Sequence, residues 1–276
     1  MTLGVVLAVA SALVWGSGDF CGGRAATRLN PFQVLFLAAV SGMALLVAAA
    51  LATGESFGPS RSLLWAAGAG LAGGGGIVAL YRGLAIGSAA TVAPLASVLA
   101  AVLPVVVGVA TEGAPRPLQI VGFVLAVVGI FLVARSAPDG RSARAGIEMG
   151  LLAGLGFGGF LVLAAQVTGD TVYVPLTVAR AMMLGTALVM MRVRRLEVPQ
   201  LVSHPMGLLA GLLDAGGNVL YLLARQHVRM DMAAVLSSLY PVSTVVLARL
   251  VTGERVSPAQ WTGGALCIAS VALIAA

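Results

Sequence analysis

The sequence predicts an all-α integral membrane protein of about ten transmembrane helices, built as two inverted five-helix repeats. Three observations lead there. The chain of 276 residues is 59% hydrophobic and only 9% charged, with mean hydropathy +1.03, whereas a soluble domain carries roughly a quarter charged residues. Its apolar runs are close to the length of a bilayer crossing. They are uniformly apolar, without the alternation of a barrel strand. Finally, the first and second halves of the chain resemble one another.

The apolar runs are read in order as spans at 2–21, 32–53, 63–83, 89–111 and 118–134. The hydrophilic stretch "RSAPDGRSARAG" follows, and then five more runs at 147–168, 172–191, 206–226, 232–251 and 258–276. This divides the chain into a first repeat over 1–134, a linker over 135–146 and a second repeat over 147–276. "TEGAPRPLQIVG" in the first half lies over "TGERVSPAQWTG" in the second at a constant separation of 141 residues. That register pairs Pro117 with Pro258, Gln119 with Gln260, Gly122 with Gly263 and Ser97 with Ser238. Five spans is an odd number, so the second copy enters the membrane upside down. Secondary transporters commonly use this architecture, with substrate bound near the midplane between the halves.

All sixteen basic residues are arginine. The odd-numbered loops hold Arg24, Arg28, Arg135, Arg141, Arg144, Arg192, Arg194, Arg195 and Arg255, and the even-numbered ones Arg61, Arg116, Arg225 and Arg229. The excess places odd loops in the cytoplasm and both termini outside. A net charge of +6 spread over loops, with no basic stripe interleaved with aromatics, gives no footprint for nucleic acid. Cys21 and Cys267 lie in or beside spans at opposite ends of the chain, so neither a disulfide nor a metal site is expected. No basic region precedes the first span, so no cleaved signal peptide is expected.

Glycines mark packing faces. Gly146, Gly150, Gly154 and Gly158 recur at every fourth position of the sixth span, a surface that lets another backbone approach closely. "GAGLAG" at 68–73 matches a dinucleotide-binding fingerprint, but it lies inside a span and has no preceding strand, so it is read as packing.

Polar residues at membrane depth cost about 2.5–3.5 kcal/mol each, so they face a cavity or a partner. Asp214, Asn218, Tyr221 and Arg225 share one face of the eighth span, a stripe that suggests a water-lined cavity. The competing reading is an ion network in which Asp214 pairs with an arginine of a neighbouring helix. Arg180 in the seventh span either pairs with Asp214 or meets an anionic substrate group. Ser11, Trp15 and Asp19 are spaced by four in the first span; Asp19 lies near its end in "WGSGDFCGG" and is either simply interfacial or, if buried, a carboxylate that could couple transport to protons. Tyr81, Arg82, Gln166 and Tyr240 complete the candidates. Pro241 lies inside the ninth span, where it removes a backbone hydrogen bond and frees the Ser237 carbonyl. A bend is expected there, its carbonyl satisfied by Ser237 and Ser238, with Tyr240 at the bend and a role in gating. Pro94 and Pro104 are expected to act comparably in the fourth span.

Three stretches carry a resemblance: "SALVWGSGDF", "ALYRGLAIG" and "VLSSLYPVSTVVLARLVTGERVSPAQWTGG". On these the chain resembles the EamA family of the drug/metabolite transporter superfamily, over nearly its whole length. The resemblance implies a ten-helix, basket-like inverted repeat with a central cavity, commonly exporting small metabolites. It implies that Glu254 and Arg255 fix the last interhelical turn, and that Arg180 follows Pro175 as in the family pattern. The first repeat departs from that pattern, with Phe36 at the equivalent of Arg180 and Ala100 opposite Pro241.

The leading expectation is a secondary transporter of the plasma (cell inner) membrane, an exporter of a small metabolite such as an amino acid or a related compound. Its partners are that metabolite and the lipid bilayer; a homodimer is compatible with the sequence, and no cofactor is expected. An intramembrane enzyme fits poorly: only His204 and His227 are available, with no nucleophile motif or metal cluster beside them. A non-transporting membrane scaffold is the other alternative, and the polar stripe argues against it.

Overall fold

In a computed structural model the chain is described over residues 2–86, 89–134, 143–168, 171–253 and 256–275. All of the regular structure there is helical: α1 Thr2–Ala26, α2 Pro31–Thr53, α3 Ser60–Ile86, α4 Ala89–Glu112, α5 Pro117–Ala134, α6 Ala143–Ala164, α7 Tyr173–Val193, α8 Pro205–Arg225, α9 Met230–Ser237, α10 Tyr240–Leu247 and α11 Pro258–Ala275. They make ten apolar membrane-crossing segments, with α9 and α10 forming the ninth. The outer faces carry exposed Leu51, Leu64, Val106, Val193, Leu250 and Ile268, as expected where the solvent is lipid.

One local device starts three of the helices. Proline stands at the first turn, where its missing N–H costs nothing, and a glutamine two residues on reaches back to a backbone N–H. Gln33 Oε1 accepts from Asn30 N at 3.0 Å, Gln119 Oε1 from Arg116 N at 3.0 Å, and Gln260 Oε1 from Ser257 N at 2.9 Å. The last two are the repeat-paired glutamines, so the duplication preserved a capping interaction as well as a hydrophobic pattern.

The packing follows the same twofold logic. α1 lies along α8 as α3 lies along α6, and α2 against α8 as α3 against α7. α5 and α11 pack on each other across the pseudo-axis. Glycines set these distances. A Cβ on Gly129 would meet Cys267 Sγ and the Gly263 carbonyl, and one on Gly263 would meet the Gly129 carbonyl. The every-fourth-residue face of α6 is a groove for α4: Gly150, Gly154 and Gly158 sit under Leu95, Leu99 and Leu103. The glycines of "GAGLAG" are helical within α3, and a Cβ on Gly70 would run into the Ala179 backbone of α7.

The ninth span is broken rather than bent. α9 ends at Ser237, Ser238 and Leu239 take ψ values of −1° and 2°, and α10 restarts at Tyr240. Pro241 occupies the first turn of α10, the position it tolerates best. The two serines do not serve the freed Ser237 carbonyl as expected. Ser237 Oγ donates instead to the Ala8 carbonyl at 3.3 Å, and Ser238 Oγ has no partner. With Ser243 donating to Ala12 (3.0 Å) and Thr244 to Gly16 (3.1 Å), the broken span is stitched to every fourth carbonyl of α1. Past α10 the chain widens into a π turn, Ala248–Thr252, closed by Gly253 at φ 70°. Glu254 and Arg255, assigned to that turn by the family pattern, lie outside the described residues. α4, by contrast, runs unbroken through Pro104. The side chain of Pro94 also lies outside the described residues.

Candidate functional site

The site is built on α1 and α8. Ser11 Oγ donates to the Gly217 carbonyl (2.8 Å) and Trp15 Nε1 to the Asp214 carbonyl (3.2 Å). Gly217 is the floor for the indole; a Cβ there would collide with it. This close approach aims Trp15, Asp19, Asp214 and Asn218 into one cavity of about 200 Å³ between the halves. α3, α6 and α7 add Gly73, Ile77, Leu80, Phe157, Phe160, Leu161 and Met183, α4 adds Ala100, and the broken ninth span adds Ser238 and Tyr240. Tyr240 shares a side-chain hydrogen bond with Ser97, the repeat partner of Ser238.

Asp214 belongs to both of the competing readings. Its Oδ2 forms an ion pair with Arg180 Nη2 and accepts from Asn218 Nδ2 at 3.5 Å. The Asp214 side chain nevertheless keeps 40% of its surface, while Arg180 keeps 3%. Arg180 lies against Gly42 of α2, near enough that a Cβ there would come to 3.3 Å of its Nε. Its Nη1 points at Met183 Sδ, 3.7 Å away. Arg180 does not line the cavity. Of the two readings of Arg180, the geometry here is that of the pair with Asp214, with Arg180 buried behind it.

The stripe on α8 divides at Tyr221. That ring is fully buried, its hydroxyl donates to the Leu161 carbonyl at 2.7 Å, and it stacks on Trp15 with centroids 6.0 Å apart. Tyr221 supports the cavity wall rather than facing the lumen. One turn on, Arg225 pairs with Glu112 Oε1 at 2.6 Å. Gln166 is also displaced from the site: it lies in the turn after α6, where its Nε2 donates to the Val162 carbonyl at 3.4 Å. The side chain of Tyr81 lies outside the described residues; Arg82 is exposed at the end of α3.

A polar cluster that sequence reasoning missed closes one end of the bundle. Glu112 takes Arg225 on one oxygen and the Met230 N–H on the other. Arg229 donates to the Glu112 and Gly113 carbonyls (2.9 and 2.6 Å) and grips both oxygens of Asp231, which is fully buried. Every residue from Met230 to Leu239 is buried. This end carries the even-numbered loops. Toward the other end, Asp19 is exposed, so the cavity is open where α1 ends and α8 begins. Aromatic walls at Phe157 and Phe160 were missed as well, because nothing distinguishes them from lipid-facing residues in the sequence.

Among the described residues no group of histidine, cysteine or carboxylate side chains could hold a metal ion.

No curated protein matches the chain. A solved crystal structure of a protein superposes with a TM-score of 0.76, covering 98% of this chain and 95% of the other at 20% identity, a likeness of fold. The family model of the EamA-like transporter family matches residues 2–135 and again residues 144–276, one match for each set of five spans. With both halves matched, the chain belongs to the EamA-like transporter family, and is a multi-pass membrane transporter.

Proposed function

We propose that the chain is a secondary transporter of the plasma (cell inner) membrane, which exports a small metabolite by alternating access between its two repeats and draws on a proton gradient. The observation that carries this reading is the cavity itself. It lies at mid-span depth, takes its lining from both halves, and is open at one end and sealed at the other. The seal consists of the Trp15–Tyr221 stack, the buried segment from Met230 to Leu239 and the ion pair of Glu112 with Arg225. All are interfaces between helices, which can exchange one packing for another as bistable units. The carboxylate of Asp19 supplies a proton-binding group in the cavity. The broken ninth span places irregular backbone where it lines a cavity, the one place at membrane depth where it is tolerated.

The test is a flux measurement on proteoliposomes loaded with a metabolite mixture and given a proton gradient, followed by mass spectrometry of the lumen. Gradient-dependent depletion of particular compounds, reduced in Asp19→Asn, is the expected result. Equal retention of every compound with and without the protein, under gradients of either sign, refutes the transporter reading. Depletion that ignores the proton gradient refutes only the coupling.

A further inference from the structure

We infer that the cavity selects organic cations, small amines with an aromatic or apolar body, and that Asp19 is their counter-ion. The inference rests on the transporter reading and deepens it by naming the substrate class.

Among the described residues the charged side chains of the lining are Asp19 and Asp214. Arg180 approaches this site from behind Asp214 and forms its ion pair there, which leaves the site with one carboxylate in excess. No cation pairs with Asp19 among the described residues. An unpaired carboxylate lining a cavity with apolar walls attracts a charge of the opposite sign, and the partner this site lacks among the described residues is positive. A carboxylate-bearing substrate would meet one unpaired carboxylate and, among the described lining residues, no free cation. The remaining walls suit the same ligand. Trp15, Phe157 and Phe160 present rings, whose faces attract an ammonium group and whose area suits an apolar body. Ser238 provides independent support. It lines the cavity, is 1% exposed, and its Oγ has no hydrogen-bond partner. Buried hydroxyls are nearly always satisfied, and a polar group of a ligand is the partner that this one lacks, which marks the cavity as a binding site; the sign of the charge it selects comes from Asp19. At about 200 Å³ the cavity is smaller than the roughly 300–1,000 Å³ of most ligand pockets, so the amine is small.

The experiment compares four probes of one shape: 2-phenylethylammonium, 2-phenylethanol, 3-phenylpropanoate and zwitterionic phenylalanine. Binding to the purified protein is read by calorimetry, with tryptophan fluorescence as a second signal because Trp15 lines the site. The ammonium should bind at least about tenfold more tightly than the anion, the ratio one good charge-assisted contact supplies. Asp19→Asn should abolish that preference, and Asp19→Glu should keep it, which separates loss of charge from misfolding. Anion or zwitterion binding as tight as the ammonium overturns the cation assignment and leaves the transporter reading standing. A preference that survives Asp19→Asn removes Asp19 from the role. No binding of the ammonium at all overturns the inference, and the flux assay then decides the transporter reading separately.

Discussion

The Arg180–Asp214 pair yields a prediction whose asymmetry can be worked from exposure. Arg180 is 3% exposed, enclosed by α2, α7 and α8, whereas the Asp214 side chain keeps 40% of its surface. Removing one partner of a buried pair costs about 3–5 kcal/mol because the survivor is a buried, uncompensated charge. That figure applies when Asp214 goes, since among the described residues the guanidinium left behind has only Met183 Sδ at 3.7 Å to turn to. When Arg180 goes, the carboxylate left behind is hydrated in the cavity, and the cost falls to about 1–2 kcal/mol, near that of an unmade hydrogen bond plus lost packing. Asp214→Leu should therefore destabilise two- to threefold more than Arg180→Met. The double variant should recover most of the loss, because an apolar pair of similar volume is often nearly neutral. Equilibrium unfolding in mixed micelles, run as a double-mutant cycle, measures all three terms. If Arg180→Met costs as much as Asp214→Leu, or the two costs simply add, the pair is not the buried support described here.

Four further perturbations test other parts of the fold. Gly70→Ala forces a Cβ into the Ala179 backbone, whereas a Cβ on Gly75 meets nothing within 4 Å. The first should lose about 1–3 kcal/mol by overpacking and the second gain about 0.5–1 kcal/mol of helix propensity, measured as thermal unfolding in detergent. Glu55→Ala removes acceptors from three N–H groups at the start of α7 (Val172 and Tyr173 at 3.0 Å, Val174 at 2.7 Å). It should cost about 1–2 kcal/mol and raise hydrogen exchange at those amides first; unchanged exchange there would rule out the cap. Pro241→Ala restores the N–H that can close the break onto Ser237 and should alter turnover severalfold while leaving ligand affinity near wild type. An unchanged turnover would make the break structural only.

The membrane class, the ten spans and the repeat were legible because each rests on a long signal. Twenty apolar residues, or a register of 141 that pairs proline with proline and glutamine with glutamine, cannot be mistaken for a local accident. The glycine face of α6 was legible for the same reason. The candidate site was legible only in part. Asp214 and Asn218 announced themselves as polar groups at membrane depth, and Trp15 and Asp19 by their spacing. Helical periodicity says which residues share a face, but not how far along that face the cavity extends, so Tyr221 and Arg225 could not be separated from Asp214. The partners that decide roles come from distant segments. Leu161 takes the Tyr221 hydroxyl, Glu112 takes Arg225, and Glu55 caps a helix more than a hundred residues away.

The repeat register also explains why the cavity is chemically one-sided. Gly73, Ile77 and Leu80 of α3 stand at the repeat equivalents of Asp214, Asn218 and Tyr221 on α8. The three α3 residues line the same cavity as Asp214 and Asn218. Likewise Phe160 of α6 stands at the equivalent of Asp19 on α1, and both are lining residues. The duplication thus fixed which positions face the lumen, and divergence left each pair of equivalent positions with a carboxylate in one copy only, Asp19 in the first repeat against Phe160 and Asp214 in the second against Gly73. The same holds for the backbone: Pro241 breaks the ninth span, while Ala100 leaves α4 continuous. In a symmetric inverted repeat the inward- and outward-open states would be related by the twofold axis in the membrane plane and equal in energy. Here a broken span is stitched to α1 on one side of the cavity and an unbroken one stands on the other, so the two states differ in packing. A ligand or proton can shift their balance only by the difference in its affinity for them. Asp19 and Asp214 are the charged groups placed to register that difference, which is why neutralising Asp19 should alter the balance between the states as well as the affinity of each.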